Sequence, residues 1–482
     1  MKQKLNIIFL ISVFLWGCDK VYVRKNIYSL PATDPIVIDY QKGVAVMKTR
    51  PITDPTSWDY QANMHGTDEA KLLPLWATCQ HGSYYFLSWH RMYLYFFERI
   101  VRNACGDPNF ALPYWNYSDV PVQASLPEIF RSPANNTNSL YDANRDGAIN
   151  SGDPLQPSTV EYQNELFYFT FSGSTDDLGF GGIVVPAPIH FNRPHGLIES
   201  QPHDQVHIDI SGDMGRPNTA AKDPIFWLHH CNIDRLWFKW NNFGATDPIG
   251  DANWMNTVFT FYDENGSQVT MTGKEVINIE KQMHYTYDDA PKRIYHPIEV
   301  AKPLPYFPID TSIKKTDFLT AANIVTAGRQ TEFKMETGKA QLRSLMNRAF
   351  DIVSDSSRKS TDKIMLKLEG ITYADLPNGA FEVYINLPTS EKADFKNIYY
   401  AGNIGLFGLM GHGDREMNMD EGGSVLLNIT KTISRLKSSQ ISLDNIIVSI
   451  IHKGASVRSE QNIRGEIKIR SITLYALQRE SK

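Results

Sequence analysis

Between Ser83 and Val101 the apolar positions recur at helical spacing. Phe86, His90, Leu94 and Phe97 fall at i, i+4, i+8 and i+11, which predicts an amphipathic helix with one buried face. Pro224 to Trp240 predicts a second helix, because proline is tolerated in a first turn and Asp223 stands where a cap belongs. The stretch between them, Ser132 to Pro188, is rich in Gly, Pro and Asn and reads as loops over a helical scaffold. After Trp240 the period changes: Val258 to Tyr262 and Val269 to Met271 flank the turn-forming DENGS, so a hairpin and a small β unit follow. Ser312 to Lys363 is polar and rich in Lys, Thr and Ser, with one helical patch near Ala340 to Phe350, and reads as a linker. From Ile364 onward FEVYINL, SVLLNIT, NIIVSII and EIKIRSITLYAL predict an antiparallel sandwich or barrel.

The N-terminus follows another logic. Lys2 and Lys4 precede an apolar run from Leu5 to Trp16 that ends in Gly17-Cys18, shorter than the ~20 residues a spanning helix needs. Residues 1–18 are therefore read as an export signal. LWGC resembles a bacterial lipobox, which would make Cys18 a lipidated N-terminus anchoring the chain to the cell envelope; simple secretion is the alternative.

Composition narrows the class. The 482 residues allow about three domains, and 42% apolar with 21% charged residues describe an ordinary globular chain. Lys plus Arg number 48 against 53 Asp plus Glu, a net charge of −5 without the basic excess that phosphate backbones demand, so nucleic acid is excluded as a partner. Four Cys are too few for a disulfide scaffold. The 13 His are clustered, and that changes the picture.

His203 and His207 lie four apart, so on a helix both rings project from one face toward one metal ion. In His229-His230 adjacent side chains diverge by ~100°, so only one can join that pair. Asp234, one turn below His230, could hold its other nitrogen; His230 is taken as the ligand and His229 as a packed neighbour. Upstream stand His65, His81 and His90. Nine residues turn a helix by ~2.5 turns, so His81 belongs to a loop leading into the helix of His90, with Cys79 beside it. Two triads of neutral imidazoles without a carboxylate or thiolate ligand suit copper best.

CQHGSYYFLSWHRMYLYFFE and DPIFWLHHCNIDRLW, with PHDQVH between them, resemble the two copper motifs of the type 3 copper family of tyrosinases, catechol oxidases and hemocyanins. QANMHG, DPNFALPYWNYSD, FTFYDENGSQV and MHYTYDDA are similar to segments of plant polyphenol oxidases, as is FEVYINL in their C-terminal domain. The resemblance implies a mainly α catalytic domain over 19–245 in which a four-helix bundle holds two copper ions. It further implies a small β unit over 246–311 and a C-terminal antiparallel β domain over 364–482 that shields the site; the linker over 312–363, read from its composition, has no counterpart in the resemblance. It carries over His65, His81 and His90 as ligands of one copper and His203, His207 and His230 as ligands of the other. CQH resembles the pattern in which Cys79 is joined to the His81 ring by a thioether; Cys105 and Cys231 remain as buried thiols.

Two copper ions ~3.5–4 Å apart can take dioxygen and then two electrons from a diphenol, giving an o-quinone. Glu199, four before His203, matches the family's glutamate that holds a water; with Asp204 it would make that water basic enough to deprotonate a monophenol. Pro217 stands where plant enzymes carry a Phe over the first copper, so that side is expected to be open and hydroxylation of monophenols stays within reach beside catechol oxidation. The alternatives are an o-aminophenol oxidase and a hemocyanin-like dioxygen carrier. Phe407 to Met410 supply an apolar loop able to plug the pocket. Finally, Asp142, Asn144, Asp146, Gly147, Asn150 and Asp153 fall at positions 1, 3, 5, 6, 9 and 12 of a calcium loop, with a plain polar loop as the alternative.

Overall fold

The computed structural model describes residues 20–118, 121–192, 194–291, 313–327, 329–335, 363–409, 422–458 and 463–479. The export segment with Cys18, Met410 and the helical patch expected at 340–350 lie outside them.

The helices that frame the site are α1 (Pro35–Thr49), α2 (Trp58–His65), α3 (Phe86–Cys105), α4 (Asp204–Ile210) and α5 (Ile225–Asn242). In α3 the predicted stripe of Phe86, His90, Leu94 and Phe97 is buried. Gly106 ends the helix with φ +79°, a left-handed conformation that glycine adopts at no steric cost. Asp223 caps α5 as its position suggested: its Oδ1 accepts from the Ile225 N–H at 3.0 Å, while Arg145 pairs with the same carboxylate at 2.7 Å. Phe97 and Trp227 stack 3.3 Å apart where α3 meets α5, so the two helices that carry upstream and downstream histidines share one aromatic core.

A short strand, β1 (Tyr22–Arg24), is followed much later by the hairpin β2 (Val258–Tyr262) and β3 (Gln268–Thr272), and then by β4 (Tyr285–Tyr287). β2 and β3 pair antiparallel with Phe259 opposite Met271, as the hairpin signal predicted. β1 runs parallel to β4 with Tyr22 opposite Tyr285, which ties the start of the described chain to the end of the small β unit.

The C-terminal region is built on β5 (Ile313–Ala327), β6 (Gln330–Met335), β7 (Lys363–Ile371), β8 (Phe381–Ile385), β9 (Tyr400–Ile404), β10 (Gly423–Asn428), β11 (Ile446–His452) and β12 (Ile467–Arg479). They form two four-stranded sheets in the orders β9-β8-β11-β6 and β10-β7-β12-β5. This corrects the linker expected over 312–363 for residues 313–327 and 329–335, the stretch 336–362 lying outside the described residues. Residues 313–327 pair antiparallel with the last strand, from Ile313 opposite Arg479 to Ala327 opposite Ile467, and 330–335 pair with β11. The physical reason is position: β5 and β6 are edge strands, paired on one side within their sheets, where a continuous apolar run is not required.

Candidate metal centre

Four of the six histidines come from four helices, one from a loop and one from the turn that leads into α4. His65 ends α2, His81 lies in the extended segment before α3, His90 is in its second turn, His203 immediately precedes α4, His207 lies within it and His230 is in α5. All six are 3% exposed or less. Three of them are oriented by backbone carbonyls. The Nδ1 atoms of His65, His90 and His207 lie 2.9, 2.8 and 2.7 Å from the carbonyl oxygens of Pro217, Phe86 and Met214, so each Nδ1–H donates and each Nε2 presents a lone pair. Two more are oriented by carboxylates: His81 Nδ1 donates to Glu199 Oε1 at 2.8 Å and His203 Nδ1 to Asp204 Oδ1 at 3.0 Å.

The remaining nitrogens face one another. His65 Nε2 and His81 Nε2 are 3.1 Å apart, His207 Nε2 and His230 Nε2 are 3.4 Å apart, and Nε2 of His90 and of His203 have no hydrogen-bond partner. Buried lone pairs without donors are costly, and imidazoles so oriented fit cations. Two groups of convergent ligand atoms reflect this, His65 with His90 and His230, and His203 with His207, His229 and His230. Burial first, and neighbouring imidazoles second, hold His65, His81, His207 and His230 well below the usual histidine range; for His90 burial is the main cause, so these rings stay neutral, as metal binding requires.

Several expectations need correction. Asp234 does not hold His230, whose Nδ1 has no partner; it accepts instead from Arg91, Arg24, Tyr285 and Tyr287. Burial opposes its charge, but Arg91 and Arg24 outweigh this and keep the carboxyl below the usual range. The reason is helical geometry combined with tertiary neighbours, since two arginines compete for the carboxylate more strongly than a neutral ring. His229 packs 4.8 Å from His207 and 5.4 Å from His203, its nitrogens without hydrogen bonds. Asp204 is fully buried, with Oδ1 on His203 and Oδ2 on His195 at 2.8 Å. Glu199, also fully buried, accepts from His81 and from the Gly82 N–H at 3.1 Å.

Pro217 does not leave the first cluster open. Its carbonyl orients His65, and Phe191 stacks on His81 with centroids 4.4 Å apart. The Cys79 thiol is buried and belongs with His65 and His81 to a convergent group, while its Sγ lies 3.4 Å from His190 Nδ1. The calcium loop does not converge among the described residues. Asp146 caps the single turn Gly147–Asn150 and meets Arg464 at 3.3 Å, Asp153 meets Arg458 at 3.1 Å, and Asn144 donates to Asp213. Two arginines from the C-terminal region pair with carboxylates of this loop. Asp142 Oδ1 accepts from the Asn144 N–H, and Asn150 donates to the Asp142 carbonyl, as in a polar turn.

The C-terminal region reaches the histidines through Phe407, which is fully buried, stacks on His207 at 4.0 Å and lies edge-on to His203 at 5.5 Å. Glycines permit this approach. A Cβ on Gly405 would lie 2.9 Å from Asp204 Oδ2, and one on Gly408 (φ +68°) would lie 2.7 Å from the Phe191 ring. Polar contacts hold the same interface: Lys363 meets Asp177 at 2.6 Å, Asn403 donates to the Ser158 carbonyl at 3.0 Å, and Gln156 donates to those of Gly454 and Ser456. Sequence reasoning missed Phe191 and His195. Neither belongs to a histidine spacing pattern, and only the fold brings them in.

Residues 55–180 and 189–243 match the common central domain of tyrosinase, 248–295 the polyphenol oxidase middle domain, and 319–476 a domain of unknown function (DUF7868). The chain is 31% identical to tyrosinase HcTyr1 of Hahella sp. (strain CCB-MM4) over 94% of its own length and 99% of that protein's. It is 29% identical to the chloroplastic polyphenol oxidase A1 of Vicia faba, over 90% and 74% respectively. Among solved structures it is similar to latent apple tyrosinase, with a TM-score of 0.62 at 21% identity, covering 95% of this chain and 97% of that one. At that identity the likeness is one of fold.

Proposed function

The chain belongs to the tyrosinase and polyphenol oxidase family of type 3 copper proteins, and from that premise we propose that it oxidises o-diphenols to o-quinones with dioxygen. The proposed ligands are His65, His81 and His90 for one copper and His203, His207 and His230 for the other. The observation that carries this reading is the convergence of Nε2 lone pairs whose rings are turned inward by hydrogen bonds at Nδ1. A copper pair supplies two one-electron acceptors that also hold dioxygen, so that two electrons leave the diphenol. The chain's own part is to keep the imidazoles neutral, to exclude water with Phe191 and Phe407, and to receive the phenol's proton.

Glu199 is the proposed proton acceptor, acting through a water. A diphenol is the more acidic substrate and needs that base less, so catechol oxidation is the main activity and monophenol hydroxylation the more demanding one. Helices α2 to α5 are read as a bundle around the metals over residues 19–245. The two C-terminal sheets are read as a sandwich whose Phe407 shields them. A thioether between Cys79 and His81 and an exported, lipid-anchored N-terminus at Cys18 complete the proposal. No helix among the described residues is long and apolar enough to cross a membrane.

Copper counting combined with oxygen uptake on catechol, tyrosine and an o-aminophenol tests it. Two ions per chain and fastest uptake on catechol are expected. One ion after full loading would overturn the ligand set. Two ions that bind dioxygen reversibly without consuming catechol would make the protein a carrier.

A further inference from the structure

Both carboxylates that orient a proposed ligand meet at one further side chain. His195 is 1% exposed; its Nδ1 donates to Asp204 Oδ2 at 2.8 Å, and its Nε2 lies 3.5 Å from Glu199 Oε1. A line of contacts therefore runs from His81 through Glu199, His195 and Asp204 to His203, hydrogen-bonded at each step except the 3.5 Å approach of His195 Nε2 to Glu199, and it joins one histidine of each triad. We propose that His195 is a positioning residue which, by bridging Glu199 and Asp204, orients a ligand of each copper and couples the retention of the two ions. This rests on the copper reading above.

Glu199 and Asp204 are fully buried, and a buried carboxylate needs several donors to offset its lost hydration. Each already accepts from the Nδ1–H of a proposed ligand, and such outer partners set the direction and basicity of the coordinating Nε2. Asp204 has one oxygen on each histidine, so the His195 hydrogen bond at Oδ2 favours the rotamer that turns Oδ1 toward His203. The contact with Glu199 is longer, at 3.5 Å, and falls on the same Oε1 that accepts from His81 and from the Gly82 N–H. A rival use of the same atoms exists, because His81, His195 and Glu199 themselves form a convergent group able to hold a separate cation.

The test uses the full chain as purified, the metal-free form for folding, and a chelator titration of the copper-loaded form. Removing a partner of this kind weakens metal affinity by about 10- to 100-fold. His195→Ala should leave the circular dichroism and melting of the metal-free protein near those of the parent while shifting both copper-release steps by about tenfold or more. His195→Asn keeps a donor where Nδ1 stands but cannot reach Glu199, and should shift one step and spare the other. Unshifted steps in both variants would overturn the proposal, as would a shift of both steps of equal size in His195→Asn. A third ion per chain, lost in His195→Ala, would assign the residue to a cation site instead. If His195→Ala fails to fold, His195→Asn decides alone by the same criterion. A parent that never holds two ions would refute the copper reading itself and is told apart by its stoichiometry.

Discussion

At the scale of single residues the centre makes separable predictions. His90 and His207 belong to different triads and each has its Nδ1 on a backbone carbonyl, so replacing either by Ala removes a ligand without disturbing the partner's orientation. Each variant should retain one copper per chain by metal analysis and lose nearly all oxygen uptake. Glu199→Gln poses a finer question. Its amide oxygen can still accept from His81, so copper should stay bound, yet it cannot take up a proton. Monophenol turnover should fall by about 100-fold or more while catechol turnover falls far less. Equal losses on both substrates would make Glu199 a holder of His81 and nothing more. Cys79 sits in a convergent group with His65 and His81, so a peptide map of copper-matured protein should show a Cys79–His81 crosslink two hydrogens lighter than its parts. Quantitative alkylation of that thiol in active protein would exclude the bond.

At the scale of elements, β1 and α5 are tied together by charge. Arg24 of β1 pairs with Glu98 of α3 at 2.9 Å and with Asp234 of α5 at 3.3 Å, all buried. Removing one partner of such a set leaves uncompensated buried charge, so Asp234→Asn should cost about 3–5 kcal/mol in denaturant melts. The sign with pH follows from the depressed carboxyl. Its stabilisation is complete above the unfolded value of about 4 and is lost as pH falls through the lower folded value, so the parent and Asp234→Asn should converge only in strong acid. A constant gap down to pH 2 would show that packing, not charge, is what the substitution removes.

At the scale of the whole molecule, the pairing of β5 with β12 and of β6 with β11 changes what proteolysis can do. A cut between 336 and 362, where Lys339, Arg343, Arg348, Arg358 and Lys359 lie, would leave residues 313–335 hydrogen-bonded into both sheets. The fragments should therefore stay together in gel filtration and Phe407 should stay on His207. A cut at Lys292, Arg293 or Lys302 precedes every strand of the two sheets, and it alone should free the region and raise turnover of a bulky catechol. Phe407→Ala in the uncut chain should give part of the same gain, because it removes the ring while keeping the polar contacts at Lys363 and Gln156. An uncut Phe407→Ala chain no faster than the parent would refute the plug.

The elements legible in the sequence were those governed by local periodicity and capping: α3 from its apolar stripe, α5 from Asp223, the hairpin from DENGS, and the assignment of His81 to a loop from the angular arithmetic of nine residues. Of the histidines, only the His203–His207 interval was legible for the same reason; His65, His81 and His90 came as a set from the resemblance to the copper motifs, and His230 was chosen through an Asp234 contact that the fold does not make. The edge strands in 313–335 were not, because their polar residues meet the needs of a sheet margin, which no local pattern encodes. The partner of Asp234, the arginines on the presumed calcium loop, the rings of Phe191 and Phe407 over the histidines and the bridge at His195 were decided by tertiary structure alone. Each depends on which charged or aromatic group from a distant segment arrives in the same buried volume, and a buried charge is satisfied by the nearest strong partner, whatever its distance along the chain.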